Sequence, residues 1–177
     1  IHQIETGHAR ETFAQQHFDQ HAAAEDPPYP KRLIFRLNST CNLACIMCDG
    51  ETSSRVRKER DHLPAYPSAY GEPFFRDMER ILPHIEYVEF YGGEPFLVAE
   101  HLRIMEMMVR MQCKARVFAN TNCVAFSPNA RRFVEELNFH TVAVSMDAYH
   151  AEVHEAVRVG IDHEQFITNL EWLMGVG

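Results

Sequence analysis

Apolar residues follow two alternating rhythms along this chain. Residues 31–38, 85–91, 115–119 and 141–146 are short runs rich in β-branched and aromatic side chains, and they read as strands. The intervening segments carry apolar residues at helical spacing. Residues 73–82 place Phe74, Phe75, Met78, Ile81 and Leu82 on one stripe, and residues 98–112 do the same with Leu102, Met105, Met108 and Val109. A third helix is expected from Ser127-Pro128 to about residue 137, and a fourth over 164–174 with Phe166, Ile167, Leu170 and Leu173 on one side. Residues 49–70, charged and dotted with prolines, read as a short helix passing into a surface loop. Their basic run reads as a solvated face. The Met-rich stripe of 98–112 reads as core packing rather than a thioether metal site.

This order, strand then helix four times over, predicts an α/β fold with a parallel sheet and right-handed crossovers. In such sheets ligands bind beyond the carboxyl ends of the strands. The unusual residues fall there. Cys41 follows the first strand, Gly92-Gly93-Glu94 the second, and Asn120 and Asn122 the third, while Ser145 and Asp147 close the fourth. Residues 1–30 form a separate arm and linker. Residues 9–25 are a candidate surface helix carrying His17 and His21, and 26–30 are a proline-rich linker. Residues 31–177 form the domain.

Composition narrows the function classes. The 177 residues are 46% hydrophobic, which suits one domain with a sizeable core. The net charge of −8 leaves no footprint for broad nucleic-acid or anionic-membrane binding. No apolar run approaches the ~20 residues that span a bilayer. Five cysteines, an odd number with three of them clustered, argue against a disulfide framework and for a reducing, cytoplasmic setting.

Those three cysteines, Cys41, Cys45 and Cys48, are spaced C-x3-C-x2-C on the loop after the first strand. Spacings this short let successive sulfurs converge on one metal centre. Three readings stand: buried structural thiols, a zinc site completed by His62 or Asp49, and an iron–sulfur cluster. The zinc reading lacks the paired C-x2-C knuckles of common zinc sites. A four-iron cluster held by three cysteines leaves one iron open to a small molecule. Cys113 and Cys123 read as packed thiols.

CNLACIMC resembles the C-x3-C-x-Φ-C signature of the radical S-adenosylmethionine (radical SAM) enzymes, with Met47 at Φ. Gly92-Gly93-Glu94-Pro95 is similar to the family's GGEP motif. Asn120-Thr-Asn122 resembles its T-N-G segment, with Cys123 in place of Gly, and Ser145-Met-Asp147 its S-x-D. His154-Glu-Ala-Val-Arg158-Val-Gly160 is similar to the H-D-x-x-R-G of peptide-modifying members, with Glu155 for Asp and Val159 inserted. The resemblance covers residues 33 to about 173 and implies a partial (β/α) TIM-like barrel, with about four βα units of the usual six. A chain incomplete at its C-terminus is therefore expected. It further implies a [4Fe–4S] cluster on Cys41, Cys45 and Cys48, with S-adenosylmethionine held by Met47, Gly92, Gly93, Glu94, Asn122, Ser145 and Asp147. Glu94 would take the amino group of the methionine moiety. The implied chemistry is reductive cleavage of S-adenosylmethionine to a 5′-deoxyadenosyl radical that abstracts hydrogen, with a flavodoxin or ferredoxin as reductant and a peptide or protein as substrate. The contrasting function classes are a non-catalytic electron-transfer or sensing module and a zinc-stabilised interaction domain.

Overall fold

A computed structural model describes residues 28–176 of the chain. The fold lies in the second of the two units into which the chain divides, Lys31–Gly177. The expected helix over 9–25 lies outside the described residues. Four strands, β1 (Arg32–Phe35), β2 (Tyr87–Phe90), β3 (Arg116–Thr121) and β4 (Phe139–Val144), form one all-parallel sheet in that order. Phe35 pairs with Phe90, Phe90 with Ala119, and Ala119 with Val142, so the carboxyl ends of all four strands share one rim.

Among the described residues the α-helices are α1 (Ser54–Glu59), α2 (Glu72–Ile81), α3 (Ala99–Arg110), α4 (Pro128–Glu136), α5 (Ala151–Val157) and α6 (His163–Gly175). Pro73 lies in the first turn of α2, and Ser127 caps α4 by accepting from the Ala130 N–H at 3.2 Å. Leu82-Pro83-His84 continues α2 as a single 3-10 turn. The main core lies between one sheet face and the helices. Phe35, Val88, Phe90, Val117 and Ala119 pack against Phe75, Met78, Ile104, Met105, Met108 and Phe133, so the methionine stripe is core as expected. Alternate strand residues face the other way. Ile34, Arg36, Glu89, Tyr91, Phe118 and Asn120 give that face a polar and aromatic character, with Tyr91 and Phe118 rings 5.3 Å apart.

Three expectations need correction. Asn120 lies inside β3 rather than after it, because the ladder runs on through Thr121↔Val144. β4 begins at Phe139, ahead of the expected 141, across a register shift at Val117/Phe118 where His140 Nδ1 meets the Val117 carbonyl at 2.7 Å. α5 was not expected at all. β4 stands at the sheet edge beside a groove of about 320 Å³ lined by Val142, Val144, Leu170 and Leu173. Among the described residues no helix is long and apolar enough to cross a membrane.

Candidate functional site

The loop after β1 carries the three cysteines, and all five cysteines of the chain are free thiols. The Cys48 N–H donates to the Cys45 carbonyl at 3.1 Å and closes the C-x2-C turn. α1 holds the loop from one side: Ser53 Oγ donates to the Leu43 carbonyl at 2.6 Å, and Ser54 Oγ accepts from the Cys41 N–H at 3.1 Å. The end of α5 and the segment after it hold it from another, since the Ala44 N–H donates to the Val159 carbonyl and the Ile46 N–H to the Val157 carbonyl, each at 2.9 Å.

Burial pushes the Cys41 thiol up, with the charges of Glu94 and Cys48 adding to the effect. Burial pushes Cys45 up to about 11, while the nearby Arg158 guanidinium pulls the other way. Both thiols are therefore protonated at neutral pH in the metal-free chain, and metal binding must displace those protons. Among the described residues no three His, Cys, Asp or Glu side chains converge on a single metal ion. A mononuclear zinc site needs sulfurs about 2.3 Å from one point. A cluster gives each thiolate its own iron and so tolerates sulfurs set further apart, which suits three neighbouring free thiols on one loop.

The turn after β2 runs directly beneath this loop. Gly92 and Gly93 both have positive φ, +83° and +51°, and the Glu94 N–H donates to the Thr40 carbonyl at 2.8 Å. Glu94 is only 1% exposed. Its carboxylate accepts from Thr121 Oγ1 at 2.7 Å, the Asn122 N–H at 2.8 Å and the Phe96 N–H at 3.4 Å. Burial raises its pKa to about 7 despite those donors. Glu94 thus ties the end of β2 to the end of β3.

Asn122 completes the junction. Its side-chain amide donates to Asn42 Oδ1 at 2.8 Å and lies 3.9 Å from Cys41 Sγ, while its Oδ1 accepts from the Val124 N–H at 3.0 Å. Cys123, where the resembling motif has Gly, keeps a left-handed φ of +63° and is fully buried in a small cluster with Leu43, Cys45, Ile161 and Phe166. Asn169, itself buried, secures this turn by donating to the Cys123 carbonyl at 2.8 Å and the Val124 carbonyl at 3.2 Å.

Ser145 Oγ donates to Asn120 Oδ1 at 3.0 Å, and the Ser145 N–H donates to the Thr121 carbonyl at 2.9 Å. Asp147 pairs with Arg158 across 2.5 Å, so Arg158 has a carboxylate partner and also bears electrostatically on Cys45 and Glu94. Met47 is exposed on the outside of the cysteine loop. The structure therefore joins Cys41, Gly93, Glu94 and Asn122 through direct contacts, and brings Asp147 to the same rim through Arg158. Thr121, Asn42, Ser53, Arg60 and Asn169 escaped the sequence reading, because each acts through a partner far away in the chain.

A conserved-family model, that of the radical SAM superfamily, matches residues 36–177. The chain belongs to the radical SAM superfamily. Members of this family use a [4Fe–4S] cluster and S-adenosylmethionine. Among characterised proteins, the chain is 24% identical over 148 residues to the mycofactocin maturase MftC of Mycolicibacterium smegmatis, covering 84% of this chain and 35% of that one. The structure of Streptococcus suis SuiB bound to S-adenosylmethionine superposes with TM-score 0.59 at 17% identity, over 93% of this chain and 36% of that one. The structure of anSMEcpe with bound AdoMet superposes with TM-score 0.58 at 23% identity, over 84% and 41%. The chain spans about a third of the length of the maturase it matches.

Proposed function

We propose that Cys41, Cys45 and Cys48 hold a [4Fe–4S] cluster. We propose further that Met47, Gly92, Gly93, Glu94, Asn122, Ser145 and Asp147 form the adjoining site for S-adenosylmethionine, within a core of residues 31–177. The observation that carries this reading is Asn122, which touches Asn42 beside Cys41 with its side chain and Glu94 with its backbone. These contacts between three strand ends support reading the three motifs as one site. When bound, the cluster and S-adenosylmethionine supply reductive carbon–sulfur cleavage and hydrogen abstraction from a substrate.

The chain's own residues have simpler tasks. Gly92 and Gly93 let the β2 turn pass close under the cysteine loop. Glu94, Thr121 and Asn122 lock the turns together, and Arg158 sets a positive charge beside Cys45 and Glu94.

The substrate we propose is a peptide. Support comes from SuiB, whose structure is known bound to the precursor peptide SuiA, and from anSMEcpe, known with AdoMet and the Cp18Cys peptide. The matching electron donor is a small redox protein of the flavodoxin or ferredoxin class, in a reducing cytoplasm. Anaerobic reconstitution with ferrous iron and sulfide tests the reading. A brown protein that releases 5′-deoxyadenosine on reduction supports it. A brown protein that never cleaves S-adenosylmethionine makes the chain an electron-transfer or sensing module, and a colourless one that holds stoichiometric zinc makes it an interaction domain.

A further inference from the structure

α1 grips the cysteine loop at both ends. At its start the contacts reach the first half of the loop: Ser53 to the Leu43 carbonyl, Ser54 to the Cys41 N–H, and Arg55 Nη1 to the Asn42 carbonyl at 2.8 Å. At its end lies Arg60, whose backbone N–H caps the helix on the Val56 carbonyl at 2.9 Å. Its guanidinium turns back over the second half of the loop. One nitrogen, Nη2, donates to the Cys48 carbonyl and lies 3.4 Å from the Cys45 carbonyl. The Cys45 carbonyl already accepts from the Cys48 N–H. Arg60 therefore closes, from outside, the turn whose backbone carries two of the three thiols.

We propose that Arg60 is a positioning residue for the cluster. It fixes the Cys45–Cys48 turn before iron arrives and places a cation beside it. The proposal rests on the cluster reading above. Charge-assisted hydrogen bonds hold a carbonyl more firmly than neutral ones, and partners outside the direct ligand set govern both metal retention and redox potential. A fixed cation near the cluster favours its reduced, more negative state. Arg60 itself is exposed, so the through-space part of this effect weakens with salt, while the hydrogen bonds persist.

The test compares Arg60→Gln, Arg60→Lys and the control Lys58→Gln in the 177-residue chain, which loses the same charge from the same helix without touching the loop carbonyls. Iron release to a chelator and the potential of the reconstituted cluster are measured. Hydrogen exchange over residues 44–49 is followed in the cluster-free protein. Arg60→Gln is expected to release iron roughly tenfold faster, to reduce at a more negative potential and to exchange faster over the turn. Arg60→Lys, which keeps the charge and a hydrogen-bond donor, is expected to restore all three readings, and Lys58→Gln to leave them parental. Parental readings in Arg60→Gln, or an equal shift in Lys58→Gln, overturn the proposal. If the parent chain binds no iron, the cluster reading itself fails. Exchange in the cluster-free chain then still decides the role of Arg60: unchanged exchange in Arg60→Gln overturns it, and faster exchange reversed by Lys sustains it as a clamp on the turn. Melting curves separate both results from a variant that does not fold.

Discussion

Gly93 lies so close beneath Thr40 that a Cβ built on it would stand 2.2 Å from the Thr40 carbonyl oxygen. The obstacle is backbone, and the same oxygen accepts the Glu94 N–H, so neither side has room to yield. Gly93→Ala must also hold φ near +51°, which costs a non-glycine residue about 1 kcal/mol. Overpacking adds about 1–3 kcal/mol. Urea unfolding should show a loss of roughly 2–4 kcal/mol, with a matching loss of iron on reconstitution. A variant of parental stability would show that the turn is looser than described.

Gly160 makes a useful contrast. Its φ is +91°, and an added Cβ would stand 1.8 Å from Arg55 Nη1. That obstacle is the far end of a flexible side chain, which can swing away. Gly160→Ala should therefore cost less in urea than Gly93→Ala, about 1 kcal/mol of backbone strain. Its cost to the loop is specific: displaced Arg55 gives up the Asn42 carbonyl. Faster hydrogen exchange over residues 41–43, with exchange in β2 and β3 unchanged, is the expected signature.

Only three of the five thiols should matter for iron. Cys41→Ala, Cys45→Ala and Cys48→Ala are each expected to abolish brown colour after reconstitution. Cys113, which donates to the Leu82 carbonyl at 3.4 Å, and Cys123, fully buried with its thiol pushed up to about 12, should be dispensable for it. Cys123→Ala should retain iron while losing about 1 kcal/mol of stability from the emptied packing space. Because φ at 123 is +63°, Cys123→Gly regains about 1 kcal/mol of strain and should be no worse than Ala. Iron lost on changing Cys123 would mean that it belongs to the ligand set.

The strands were legible because β-branched and aromatic runs bury one face and alternate, as at Val88/Phe90 against Glu89/Tyr91. Their ends were not. The pairing of Thr121 with Val144 depends on the neighbouring strand, which a local pattern cannot reveal. α5 is only seven residues long, and the side chain it buries is His154 while Val153 stays exposed, so no buried apolar stripe marks it in the sequence. The cysteines, the double glycine and Glu94 stood out by spacing and by their place after a strand. The motif around His154 picked out Arg158 but not its partner, since the carboxylate of Asp147 lies on another element. Arg60 and Asn169 carry no local signature, and Ser53 carries only that of a helix cap, because each grips a backbone carbonyl brought close only by the tertiary fold.

Glu94 makes the metal-free chain pH-sensitive in a defined window. Its pKa is raised from 4.5 to about 7 in the fold, chiefly by burial. Below pH 4.5 both folded and unfolded forms are protonated, and Glu94 contributes nothing to the balance. As pH rises through the window the unfolded chain ionises first, so folded stability falls, and the loss approaches about 3 kcal/mol above pH 7. Glu94→Gln removes this slope. Urea unfolding of the cluster-free chains at pH 5 and pH 8 should show the parent losing stability relative to Glu94→Gln. A constant difference between the two proteins would mean that the carboxylate ionises in the fold as easily as in water.

The pair of Asp147 and Arg158 links the end of β4 to the segment that docks on the cysteine loop. The two side chains are 33% and 14% exposed, so solvent screens the pair only in part. A double-mutant cycle with Asp147→Asn and Arg158→Gln isolates their interaction from the effect of each side chain alone. Coupling of about 0.5–1 kcal/mol is expected at low salt, shrinking in molar salt as the Debye length contracts. The single changes should differ in a second respect. Arg158→Gln removes the cation that holds the Cys45 thiol down, so that thiol should titrate higher than in the matched parent, whereas Asp147→Asn leaves the cation in place and should not raise it. Thiolate absorbance during an alkaline titration of the cluster-free chain, with Cys41, Cys48, Cys113 and Cys123 replaced by alanine in every form compared, reads this directly. An unchanged Cys45 titration in Arg158→Gln would show that the guanidinium faces away from the loop.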